Sequence, residues 1–284
     1  MIPNYLQEYV KNAVIPPPET SGEVVKYTRI AVDSKDRKKD LHPYPNSYEI
    51  KLPDEYSDVI SAKLINADIP MSLYLVNKYF DTITLFINNT TYDVALEHGD
   101  YNEADFATMV TSKLNEVITD NFAVTYSLRK DGFVFASKLP FSLIFGSKPN
   151  SLDALLGFKK QQYNSISIGS TPYTHVVSSE YRKNFSYNNC VIMYIDQFDT
   201  YHSPTNEMDH CFAILPSVYN NLSISDHPEL IKTFSPPIPR LTRLIVKFLD
   251  RYGNPYDFQN MEHRYEIILT SHKQARKYNS IFGN

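Results

Sequence analysis

Residues 44–52 read Tyr44-Pro45-Asn46-Ser47-Tyr48-Glu49-Ile50-Lys51-Leu52. Tyr48, Ile50 and Leu52 fall on one side of this stretch, and Glu49 and Lys51 on the other. That is the period-2 alternation of a strand with one buried and one wet face. The same signal recurs on either side. Upstream, residues 28–32 form a strand-like run, followed by the mixed-charge segment Asp33-Ser34-Lys35-Asp36-Arg37-Lys38-Lys39-Asp40, expected to be a solvated loop. Downstream, Ile60, Ala62 and Leu64 give way to Ile65, Ala67 and Ile69, the one-residue slip that a bulge produces. Residues 82–87 and 92–96, joined by Asn88-Asn89-Thr90-Thr91, read as a hairpin because Asn tolerates the left-handed conformation.

Further on, residues 190–195 and 211–215 are unbroken apolar runs, the pattern of strands buried on both faces. Leu244, Val246 and Phe248 alternate again after the proline-rich 235–239. A turn at 250–255 then leads to Tyr265, Ile267 and Leu269. About eight strands outside an inserted unit suggest a mainly β fold, an antiparallel sandwich of jelly-roll type.

The inserted unit spans 97–158. Asn102 is a plausible helix N-cap with Asp105 three residues on, and Phe106, Met109, Val110, Leu114, Val117 and Ile118 make one apolar stripe. Phe122-Val124-Tyr126-Leu128, then Phe133 and Phe135 after the Asp131-Gly132 turn, then Phe141-Leu143-Phe145, read as a three-stranded meander under that helix. Ser151 to Phe158 reads as a single capped turn with Gly157 just past its end. The expected organisation is an N-terminal arm (1–26), a sandwich built from 27–96 and 159–271, the α+β insert (97–158) and a basic tail (272–284). Within the arm, Tyr5, Leu6, Tyr9 and Val10 recur at helical spacing before Pro16-Pro17-Pro18 ends the run.

Composition narrows the function. The chain has 284 residues, a formal charge of −4, 42% hydrophobic and 21% charged residues, the profile of a globular protein rather than a disordered one. The near-balanced charge argues against a dedicated nucleic-acid binder. Two cysteines cannot staple a chain of this length, and no apolar run approaches a membrane span. The first residues carry charge and prolines where a signal peptide needs an apolar core, so a soluble intracellular product is expected. Gly is scarce (8) and Tyr abundant (22), and neither GxGxxG nor GxxxxGK[ST] occurs, which removes the usual phosphate-binding signatures.

No constellation for catalysis emerges. Asp199, His202, Asp209, His210 and Cys211 match no usual zinc spacing and read as a polar loop beside a buried cysteine, so no metal and no cofactor are expected. Cys190 and Cys211 sit in apolar runs and read as inert core thiols. Asp54 and Glu55 fall in a turn without apolar walls to raise a pKa. An enzyme is not expected.

Three stretches carry a resemblance. Ile30 to Arg37 followed by Tyr44 to Leu52 resembles the "D-S-x-D-R … P-N-x-Y-x-I-x-L" opening of capsid proteins from nucleocytoplasmic large DNA viruses. Gly99-Asp100-Tyr101-Asn102, the helix after it and Leu155-Leu156-Gly157-Phe158 resemble a module of their minor capsid and penton-type proteins. Leu241 to Phe248 with Gly253, and Tyr265 to Leu269, are similar to the last strand pair of their jelly rolls.

The resemblance implies a structural role in the virion, with assembly in the host cytoplasm. The protein would be a minor capsid protein cementing major-capsid capsomers and contacting other minor capsid proteins, with self-association possible. A penton at the five-fold vertex is the alternative, and a glycan- or receptor-binding jelly roll the second. No specific nucleic acid and no transmembrane segment are implied. Tyrosine suits such interfaces because it buries area and keeps a polar tip. The expected contact residues are Tyr5, Leu6, Tyr9 and Val10 in the arm, Tyr163, Tyr173, Tyr181 and Tyr201 in loops, and Lys273 and Arg276 in the tail. Tyr27 and Tyr44 also lie where a core cannot easily use them.

Overall fold

Alternation in 44–52 becomes the start of a much longer strand. The computed structural model describes residues 25–119, 121–169, 172–186, 190–204, 208–216 and 230–272. Within it β2 (Ser47–Asp68) runs for 22 residues. It lies in a six-stranded antiparallel sheet with β1 (Val25–Asp33), β14 (Arg264–His272), β13 (Ile231–Leu249), β11 (Cys190–Ile195) and β12 (Ala213–Pro216), in the order β1-β14-β2-β13-β11-β12. The fold is mainly β, a jelly-roll-like antiparallel sandwich.

The turn expected at Asp54 and Glu55 and the proline-rich 235–239 are absorbed as irregularities inside long strands. The β13–β2 register shifts between Leu241 and Arg243, opposite the Lys51–Tyr56 stretch that holds Pro53, and again between Thr233 and Ile238, where Pro236 and Pro237 sit. A residue without an N–H is tolerated where the ladder is already interrupted. Asp54 and Glu55 therefore lie in a strand rather than a turn, and Glu55 pairs with Arg240 at 2.7 Å. The anticipated bulge is present. Shifts in the β14–β2 ladder leave Ile60 and Ile65 as the extra residues. The core face is consequently Val59, Ala62, Leu64, Ala67 and Ile69, without Ile60.

Two four-stranded sheets share a second core. One is β5-β6-β10-β9: β5 (Phe122–Ser127), β6 (Gly132–Ser137), β10 (His175–Ser178) and β9 (Ile166–Ser167). The other is β4-β3-β7-β8: β4 (Thr90–Ala95), β3 (Thr82–Ile87), β7 (Phe141–Ile144) and β8 (Gln162–Asn164). The hairpin β3–β4 forms as expected, with Asn88 and Asn89 at φ 51° and 60°. Its partner differs: β3 hydrogen-bonds to β7, so these strands join the second core and not the six-stranded sheet. The three-stranded meander correspondingly splits, with β5–β6 in one sheet and β7 in the other. Leu128, expected on the apolar face, is 84% exposed just past β5. Part of 159–189, read as loop, supplies the short strands β8, β9 and β10. β8 pairs with β7, β10 with β6, and β9 with β10, because backbone ladders need no apolar side chains.

Helix α1 (Glu103–Val117) is built as its sequence indicates. Asn102 Oδ1 accepts from the N–H groups of Ala104 (3.0 Å) and Asp105 (2.9 Å), satisfying two orphan donors. Phe106, Val110 and Leu114 are fully buried, and the Phe106 ring packs on Phe133 (5.1 Å) and Phe185 (5.4 Å). The single turn α2 (Asp153–Leu156) ends at Gly157 with φ 77°. Ser151 does not cap it; its hydroxyl accepts from Gly146 N–H at 3.0 Å instead.

The β1–β2 connection is where the mixed-charge segment differs most from a solvated loop. Asp33 caps a 3-10 turn over Ser34–Asp36 by accepting from Lys35 N–H. Ser34 is fully buried: its N–H donates to His263 O (2.8 Å), its hydroxyl donates to Glu262 (2.6 Å) and accepts from His263 N–H (2.8 Å). The Arg37 side chain is only 4% exposed. Its guanidinium donates to the carbonyls of Ser34 (2.8 Å), His42 (2.9 Å) and Pro43 (3.1 Å) and to the Glu262 carboxylate. Nearby, Asn46 donates to Tyr256 O (2.9 Å), and the buried Tyr48 hydroxyl meets His263 Nε2 (2.9 Å). Burial keeps His263 neutral, pushing its pKa down to about 3.

Two outcomes follow from this packing. A Cβ on Gly157 would come within 2.4 Å of the Tyr181 carbonyl oxygen and 2.6 Å of that of Arg182, on a backbone already left-handed. Gly157→Ala should therefore cost about 3 kcal/mol or more in urea unfolding, the sum of the conformational penalty and a backbone clash. Glu262 is the acid-sensitive joint. Its burial alone would raise the pKa, but hydrogen bonds from Ser34, Lys39 and Arg37 outweigh it and hold the carboxyl at about 2. A folded pKa below the unfolded value adds stability above about pH 4.5 that drains away toward pH 2. Glu262→Gln should be less stable at neutral pH by on the order of 2 kcal/mol, discounted for the exposed Lys39. The gap to the parent should close as pH falls through that window in thermal unfolding curves.

Candidate functional site

A groove opens beside the anchored connection. The ladder of β13 runs along β2 from Ser47, whereas that of β14 begins only at Val59. Among the described residues, the first part of β2 thus has a ladder on its β13 side alone, and β1 is the sheet's edge, paired only to β14. Between these two open edges lies a groove of about 640 Å³. Its apolar lining comes from Ile30, Val32, Leu41, Ile50, Leu52 and Pro53. Asp33, Asp36, Lys38, Glu49, Lys51 and Arg243 supply charge of both signs at its rim. Leu41 is 70% exposed, and Tyr27 and Tyr44 in the same β1–β2 region are 68% and 65% exposed. The Arg37 cluster fixes this region from beneath, because it holds the carbonyls of Ser34, His42 and Pro43 on either side of Leu41.

The expected contact tyrosines are distributed differently. Tyr181 is half-exposed, with Lys159 Nζ 5.0 Å above its ring. Tyr163 stands beside it through the same Lys159–Glu180 ion pair, donating to Glu180 at 2.8 Å and accepting from Lys159 N–H at 2.9 Å. Its ring, however, packs on Phe158 (4.8 Å), so much of it serves the second core. Tyr173 is half-buried. Tyr201 is half-buried against the first core, its N–H donating to Cys211 O at 3.1 Å. Tyr5, Leu6, Tyr9, Val10, Lys273 and Arg276 lie outside the described residues. Leu41 and the rest of the apolar lining were not among the expected contacts. The signal available was a lone Leu in a charged, turn-rich segment.

Cys190 and Cys211 are both buried in a small cluster with Ile192 and Leu249. Burial raises both thiols, Cys211 to about 11, which suppresses thiolate chemistry. Cys211 stands apart from the polar groups at the tip of its loop. There the fold gathers His202, Asp209 and His210, whose nitrogen and oxygen donor atoms all lie within 4.8 Å of one another. Asp199 is next to them, 3.5 Å from His210 Nδ1, and Lys232 Nζ is 3.2 Å from the other Asp199 oxygen. A second hollow, between the two cores, is lined by Phe80, Asp153 and Tyr252, with the two rings 5.3 Å apart.

No curated protein matches this chain. Among solved structures, the crystal structure of the selenomethionine-labelled mavirus penton protein is similar over 88% of this chain and 100% of that chain, with 9% sequence identity and a TM-score of 0.42. The model of the family of unknown function DUF5901 matches residues 21–204, well over half of the length, and the chain therefore belongs to that family.

Proposed function

We propose that this protein is a structural component of a viral capsid that works by protein–protein contact and carries out no reaction. On this reading it is a minor capsid protein that cements capsomers. The observation that carries the contact role is the groove between the open edges of β1 and β2, lined in part by the 70%-exposed Leu41. Long open edges with apolar surroundings are an aggregation hazard unless something covers them. An extended segment of a neighbour laid between β1 and β2 would pair with both ladders and bury the apolar lining, the logic of β-strand addition. The capsid context rests on the ordered motifs of the sequence, and their residues have clear structural tasks. Ser34 and Arg37 lock the β1–β2 connection to the start of β14, while Asn46 and Tyr48 lock β2 to the 256–263 segment. Such rigidity suits a building block, since pre-ordered surfaces lose less entropy on docking.

Leu41→Asp tests the reading. The side chain is exposed, so thermal stability should stay within about 0.5 kcal/mol of the parent. Co-sedimentation with capsomers of the virus that encodes the chain should weaken about tenfold or more. Parent protein that neither binds capsomers nor enters particles would sink the proposal. A particle mass of five chains by light scattering would favour the penton form instead, since it requires a side-to-side interface that closes a ring.

A further inference from the structure

We propose that His202, Asp209 and His210 form a binding site for a divalent transition metal of the zinc class, clipping together the connection between β11 and β12. Imidazole and carboxylate are the donors such ions take, whereas magnesium and calcium prefer all-oxygen shells. One donor atom from each of the three lies within 4.8 Å of the others, so small side-chain rotations bring them around a common centre. His210 Nε2 lies 3.3 Å from Asp209 Oδ2, and His202 Nδ1 lies 3.7 Å from Asp209 Oδ1. These are long for hydrogen bonds. The first is close to the edge of a tetrahedron whose metal–ligand bonds are about 2.0–2.1 Å, roughly 3.4 Å, and His202 stands on the other oxygen of the same carboxylate. The two imidazoles stand edge-to-face at 88°, with centroids 5.5 Å apart.

The surroundings are already set for coordination. Backbone N–H groups of Ser203 and His210 both donate to Asp209 Oδ1 at 3.1 Å, fixing the carboxylate while Oδ2 faces His210. His210 would ligate through Nε2, and its Nδ1 is 3.5 Å from Asp199 Oδ2. A carboxylate behind a ligating histidine orients the ring and raises its basicity, and losing one typically costs metal affinity 10–100-fold. Asp199 is held in turn by Lys232. Three protein ligands leave a fourth position for water. The linear spacing concealed this arrangement because the ligands converge only when the loop folds back to bring Cys211 O within reach of the Thr200 and Tyr201 N–H groups.

The test uses the full chain without a polyhistidine tag, stripped with chelator and titrated calorimetrically with Zn²⁺ and, separately, Mg²⁺. Co²⁺ loading should give the intense visible absorption of a four-coordinate site. The expected result is a single Zn²⁺ bound per chain with no heat from Mg²⁺. His202→Ala, Asp209→Asn and His210→Ala should each weaken binding about tenfold or more, and Asp199→Asn, a positioning change, by a similar factor. Because His202 and His210 are exposed, the variants should melt like the metal-free parent, and only the parent should gain stability on adding Zn²⁺. Absence of Zn²⁺ binding by the parent, or binding that survives the His202→Ala/His210→Ala double change, would overturn the proposal.

Discussion

The staggered pairing of β2 is the constraint on which the rest depends. β13 follows it from Ser47 to Lys63 and β14 from Val59 to Asp68, so both ladders coexist only over a short central stretch. Bulges on both sides add residues to one strand without adding pairs, which increases local twist and bends the sheet. The curled sheet wraps Tyr48, Leu64, Phe248, Tyr256 and Phe258 into one core. The same stagger leaves the first part of β2 open on one side, opposite the free edge of β1. Core and groove are consequences of one register.

Curling also explains why the β1–β2 connection is so heavily tied down. A buried arginine is costly unless its charge is paired and its donors are used. Arg37 meets that requirement with three backbone carbonyls and Glu262, and Ser34 closes the network against His263. The result is a rigid rim that presents Leu41 and Tyr44 to solvent. At the opposite end of the sheet, the β11–β12 loop gathers His202, Asp209 and His210. The groove and the histidine–aspartate cluster thus sit on separate connections of one scaffold.

The parts legible in the sequence were those governed by neighbours along the chain. The Asn102 cap, the Phe106–Val110–Leu114 stripe, the Asn88-Asn89 hairpin, the left-handed Gly157 and the slip near Ile65 all depend on a few adjacent residues, and each appears where expected. The buried strand at 190–195 and the alternation of Tyr265, Ile267 and Leu269 were equally plain, because hydrophobic periodicity reports burial directly. Misreadings came where a distant partner decided. Asp54-Glu55 and the 235–239 prolines read as interruptions because nothing local shows that the opposing ladder shifts register there. Ser151 resembled a cap until Gly146 N–H claimed its hydroxyl.

Composition and periodicity by themselves determined a mainly β chain, one amphipathic helix with its cap, and most of the residues that face inward. Tertiary structure alone decided which sheet β3 and β7 joined, that Arg37 is interior, where two strand edges remain open, and that His202, Asp209 and His210 meet. The physical reason is one of range. Turn chemistry and side-chain alternation act over a few residues, whereas ladder partners and desolvated charges are selected by distant groups, as Glu262 is for Arg37, 225 positions away.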